Sequence, residues 1–154
     1  MTRIVAFSLI AVVGLGCVGA SRPTVSPRVS VAQQSSAAAS MGFSFPPETQ
    51  FLLYHRASEE LSLLPGPDDT VHLKIELPSA IAAKFLSDRP FSEAKWDMNA
   101  KLVHDVADWR DWQPSKVKKS RSSQIALPKG EALNVLVDED HPEKTIVYLV
   151  WFET

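Results

Sequence analysis

The 154-residue chain has a single cysteine, Cys17. One thiol builds no disulfide framework, and no C-x-x-C pair is present for zinc or redox chemistry. The four histidines, His55, His72, His104 and His141, fall in four separate stretches, and none belongs to an H-E-x-x-H motif. They read as solvated side chains rather than ligands. There is no G-x-S-x-G, no P-loop and no G-x-G-x-x-G, so no nucleophile elbow or nucleotide cradle is written in the chain. An excess of positive charge is also missing. The formal net charge is −2, which argues against a nucleic-acid partner. No internal repeat and no second domain is evident. No cofactor is expected.

A long apolar run is missing as well. The longest, Ile4 to Leu15, is broken only by Ser8 and Gly14. It is too short for a bilayer span of about 20 residues. With Arg3 ahead of it, it has the length of a signal-peptide core. Gly16-Cys17 follows directly, and Val18-Gly19-Ala20 offers small residues for ordinary signal peptidase. Two processing events therefore stay open within a signal peptide at 1–20: lipid attachment at Cys17, or cleavage after Ala20. In an exported protein a lone cysteine is otherwise a stray thiol, and lipidation at Cys17 accounts for it. In Gly16-Cys17 after an apolar run, the segment resembles the lipobox of small bacterial lipoproteins. The residues two and three before the cysteine, Leu15 and Gly14, depart from that pattern. The resemblance covers about the first twenty residues. It implies an exported protein anchored to a cell-envelope membrane, with an envelope protein or polymer as partner. The alternatives are a soluble secreted binding or inhibitor protein and a small envelope hydrolase.

Residues 18–42 are rich in Ser, Ala, Val and Pro, and contain Arg22 and Arg28 but no acid or aromatic residue. Pro23 and Pro27 oppose a helix, and the Ser/Ala-rich part after them has no apolar stripe to bury. A disordered tether is expected there, followed by one globular domain over 43–154. Phe43 and Phe45, with Pro46-Pro47, staple its extended entry.

The predicted fold class is α+β, an antiparallel sheet of about four or five strands with one or two helices packed on it. Phe51–Arg56 reads as a strand, Glu59–Leu64 as a turn or hairpin arm, and LPGPDD at Leu64–Asp69 as a turn. In Val71–Leu77 the apolar residues alternate with His72, Lys74 and Glu76, so His72 is placed on a watered face. Ser79 is expected to cap a helix over Ala80–Ser87 that ends before Pro90. Trp96, Ala100, Val103 and Ala107 sit at helical spacing, which predicts a helix, or a loop with a short helix, over Glu93–Asp108. Ser115–Ser123 reads as a basic loop. Strands are expected at Gln124–Leu127, Ala132–Val137 and Thr145–Phe152. The last is apolar on both faces, hence central and covered on both sides.

Two surface stretches are candidates for contact with a partner. Trp109 and Trp112, beside Arg110, would suit a sugar or protein if exposed, or close the core if buried. Lys116, Lys118, Lys119 and Arg121 form the one basic cluster, suited to anionic headgroups or polymers. Asp138–Lys144 is acidic but has neither the twelve-residue pattern nor the glycine of a calcium loop, and reads as a solvated hairpin turn. No catalytic or metal-ligating residue is assigned.

Overall fold

The last strand organises the molecule. The computed structural model describes residues 29–58, 69–102 and 111–153. Within it Lys144–Glu153 (β6) alternates two apolar sets, and each set meets a different layer. β6 lies between Asp69–Pro78 (β2) and Glu131–Asp138 (β5), antiparallel to both. Gln50–Ser58 (β1) flanks β2, and Ser120–Leu127 (β4) flanks β5. A two-residue strand, Asp97–Met98 (β3), closes the far edge. The sheet order is β1-β2-β6-β5-β4-β3. The class is α+β as expected, but with six strands rather than four or five. The sixth is the exposed Asp97–Met98 pair, too short to leave an alternation in the sequence.

One face of the sheet holds the main core. Val71, Leu73, Ile75 and Leu77 of β2 join Val147, Leu149 and Trp151 of β6 and Leu133, Val135 and Val137 of β5. Ser79–Phe85 (α2) lays Ala82 and Phe85 on this face. Val31–Met41 (α1) adds Ala37 and Met41. The second face is smaller, with Leu136, Tyr148 and Val150 packed under Leu102 and Trp112. β6 is thus central and covered on both sides, as its composition required.

Of the disordered tether expected over 18–42, residues 18–28 lie outside the described residues, and Val31–Met41 is corrected by α1. Ser30 caps the helix: its Oγ accepts from the Gln33 backbone N–H, and the Gln33 side chain accepts from the Ser30 backbone N–H. Gly42 ends the helix at φ 72°, in the left-handed region. Both signals are in the sequence, as a capping box and a C-terminal glycine. The apolar stripe is only two residues wide, Ala37 and Met41 at i, i+4, and small side chains suffice because α1 lies close on the sheet.

Three further boundaries move. Ser79 is the first residue of α2 rather than its cap; Pro78 precedes it, and the Ser79 N–H donates to the Glu143 carbonyl at 3.0 Å. Of the two readings of Glu93–Asp108, the continuous helix is absent up to residue 102, and residues 103–108 lie outside the described residues. A single 3-10 turn at Phe91–Glu93 gives way to extended backbone and β3. The expected basic loop yields its last four residues, Ser120–Ser123, to β4. Met1–Cys17, the Glu59–Leu64 arm, nearly all of the Leu64–Asp69 turn, Trp109 and Arg110 lie outside the described residues. Among the described residues no helix is long and apolar enough to cross a membrane.

Candidate functional site

After Gly42 the chain leaves α1 through Phe43-Ser44-Phe45-Pro46-Pro47. The prolines hold it extended, and the two Phe rings fold back onto the core. Phe43 stands 5.9 Å from Phe85 and 5.1 Å from Phe91, centroid to centroid. Phe45 stands 6.2 Å from Phe85 and 5.1 Å from Phe51. This cluster, edge-to-face at Phe43–Phe91 and Phe45–Phe51 and tilted at the two Phe85 contacts, fixes the entry segment alongside α2. Between them lies a groove of about 390 Å³, within the size range of small-ligand sites. Phe45, Pro46, Ile81 and Phe85 contribute apolar surface, and Glu48, Lys84 and Asp88 contribute charge. Such a lining can seat an apolar group and orient it by charge. Sequence reasoning noticed the Phe and Pro residues as a staple. It missed the groove, because residues 44–48 meet 81–88 only through the tertiary fold.

The two charged loops, separate in the sequence, answer each other. Asp140 accepts hydrogen bonds from the backbone N–H groups of Lys118 and Lys119, at 2.9 and 2.8 Å. The Asp140 N–H donates to Asp138 Oδ1 at 2.9 Å, and the Glu139 N–H donates to the Lys119 carbonyl at 2.9 Å. The Glu139 carboxylate meets Lys119 Nζ at 3.8 Å and Arg121 Nε at 3.1 Å. Arg121 in turn lies over the half-buried Trp96 ring, 4.7 Å from its centroid. The Lys118 N–H, with that of Lys119, holds the Asp140 carboxyl below its ordinary value of 3.8. A depressed carboxyl keeps the clasp intact above that value and releases it as pH falls further. Replacing Asp140 with alanine is expected to speed amide exchange at Lys118 and Lys119 by about tenfold at neutral pH, with the β6 amides unchanged. Hydrogen exchange read residue by residue checks this. Of the predicted basic cluster, Lys116, Lys118 and Lys119 are exposed and Arg121 is half-buried. Lys119 and Arg121 are engaged by Glu139.

The second face corrects one expectation, at His72, and decides between the two open readings of Trp112. His72 is 5% exposed, not solvated. It pairs across the strands with His55, ring centroids 6.3 Å apart, and the Trp112 indole stands edge-on to it at 5.4 Å. Burial, with His55 adding to it, pushes the His72 imidazole down to about 4, so it is neutral at pH 7. Trp112 is 3% exposed and packs 5.2 Å from the Tyr148 ring. It closes the core and offers no surface to a partner. Lys74 Nζ donates to the Asp111 carbonyl at 2.8 Å and lies 5.2 Å over Tyr148, which ties residues 111–112 down onto the sheet. Among the described residues no group of three or more His, Cys, Asp or Glu side chains is placed to hold a metal ion. The chain matches no protein-family model, no curated protein and no solved structure.

Proposed function

We propose that this chain is an exported lipoprotein, held at a cell-envelope membrane by lipid on Cys17, whose domain binds a partner in the groove between Phe45–Pro47 and α2. The observation behind it is Met1–Cys17: a basic residue, an apolar run of signal-peptide length, and the chain's one cysteine directly after Gly16. The groove supports a binding role. Its surface is aromatic, proline and aliphatic, with charge from Glu48, Lys84 and Asp88.

Lipid on Cys17 gives a measurable partition. Two or more acyl chains anchor a protein stably, whereas a mature chain without them has no such anchor. In detergent phase separation of cells expressing the full chain, the wild type is expected in the detergent phase and Cys17→Ser in the aqueous phase or retained as precursor. A wild-type chain found in the aqueous phase would remove the anchor. It would leave a secreted binding protein cleaved after Ala20.

A further inference from the structure

The two ends of the sheet carry different features, and Ser30, the cap of α1, lies toward only one of them. The register sets the ends. Ser58 pairs with Asp69, Thr70 with Phe152, and Glu131 with both Glu153 and Leu127, so these residues share one end. Pro78 pairs with Lys144, and Asp138 with Ile146 and Ser120, at the other end. Ten-residue strands separate the two by about 30 Å.

α1 has a fixed direction between them. Ser36 Oγ accepts from the Tyr54 hydroxyl at 3.2 Å and from Arg56 Nη1 at 3.3 Å, and Arg56 is paired with Asp69 at the first end. Met41 leads through Gly42 and Phe43 to Phe45, which packs 5.1 Å from Phe51 at the start of β1, and that start pairs with Ile75 and Glu76 near the other end of β2. Ser30, at the start of α1, therefore points toward the Ser58–Asp69–Glu153 end. The groove lies at the opposite end, because residues 44–48 precede the start of β1 and α2 follows the end of β2. The Asp140 clasp is there too, since it joins the start of β4 to the end of β5.

Docking of α1 also shortens the link to the anchor. Only residues 18–29, twelve in all, separate Cys17 from the helix cap. Twelve residues at random-coil dimensions have an end-to-end distance of about 20 Å, less than the length of the sheet. We infer that the anchored domain stands with its Ser58–Asp69–Glu153 end toward the lipid surface and holds the groove and the clasped loops about 30 Å further out. This rests on lipidation at Cys17. A charged loop at that distance lies several screening lengths from the headgroups, about 8 Å each in physiological salt. Lys116 and Lys118 then face an envelope partner, not the membrane that holds the protein.

The single cysteine makes the test direct, because a lipid-modified Cys17 leaves an engineered cysteine as the one free thiol. Glu153→Cys marks the first end and His141→Cys the second; both positions are exposed. Each full-length lipidated variant is labelled with a donor dye and reconstituted in phosphatidylcholine vesicles bearing a headgroup acceptor dye. Energy transfer at position 153 is expected to exceed that at position 141 by about twofold or more. Equal transfer, or more at position 141, overturns the orientation. A chain that does not float with the vesicles overturns the anchor itself, and the orientation with it.

Discussion

Leu149→Ala is expected to lower the free energy of unfolding by about 3–4 kcal/mol. Leu149 is 0% exposed, in the middle of β6. It faces the main core opposite Leu73 of β2 and Val135 of β5. Truncation removes its contacts and leaves a cavity that three antiparallel strands cannot close without breaking their ladders. Leu52 on β1 is 37% exposed, and Leu52→Ala should change stability by less than about 1 kcal/mol. Urea unfolding of both variants at pH 7.5 reads the difference. Equal effects would mean that β6 is not the centre of the core.

Between pH 7.5 and pH 5 the wild-type domain should lose stability that a His72→Phe domain does not, by about 1–2 kcal/mol after allowance for solvent screening. The imidazole of His72 takes a proton at about 4 in the folded chain, against an ordinary value of 6.5. Below 6.5 the unfolded chain binds the proton first, so the folded state loses ground as pH falls and the loss levels off below about 4. Above 6.5 neither state is charged at this residue and there is no penalty. Phe fills a similar volume beside Trp112 and does not titrate. Urea titrations of the two proteins at the two pH values give the comparison. Equal pH dependence would show that His72 is not held neutral by burial.

These two residues also mark how far the sequence could be read. Leu149 was legible, because a run of β-branched and aromatic residues apolar on both faces is a central strand. His72 was not. Alternation along β2 separates its two faces correctly, but it is silent on what covers the second one. The cover is Trp112, forty residues away and held down partly by the Lys74–Asp111 hydrogen bond. α1 was missed for a different reason. Its buried surface is one alanine and one methionine, which gives almost no periodicity, and the capping box and Gly42 had to speak for it alone. Of the two readings of Trp112, partner surface or core closure, the same packing selects core closure. The basic cluster survives as an exposed loop, with Asp140 and Glu139 already bound to it. The groove depends on Phe45 and Phe85 meeting across forty residues, which local pattern does not encode.

The proposed anchor and the orientation drawn from it rest on one residue, Cys17. The intact mass of the mature protein, taken from native membranes without hydrolysis of the acyl chains, reads it directly. A chain that begins at Cys17 and carries the added mass of its acyl chains is the expected result. A chain that begins at an unmodified Ser21 would contradict the anchor and the orientation drawn from it.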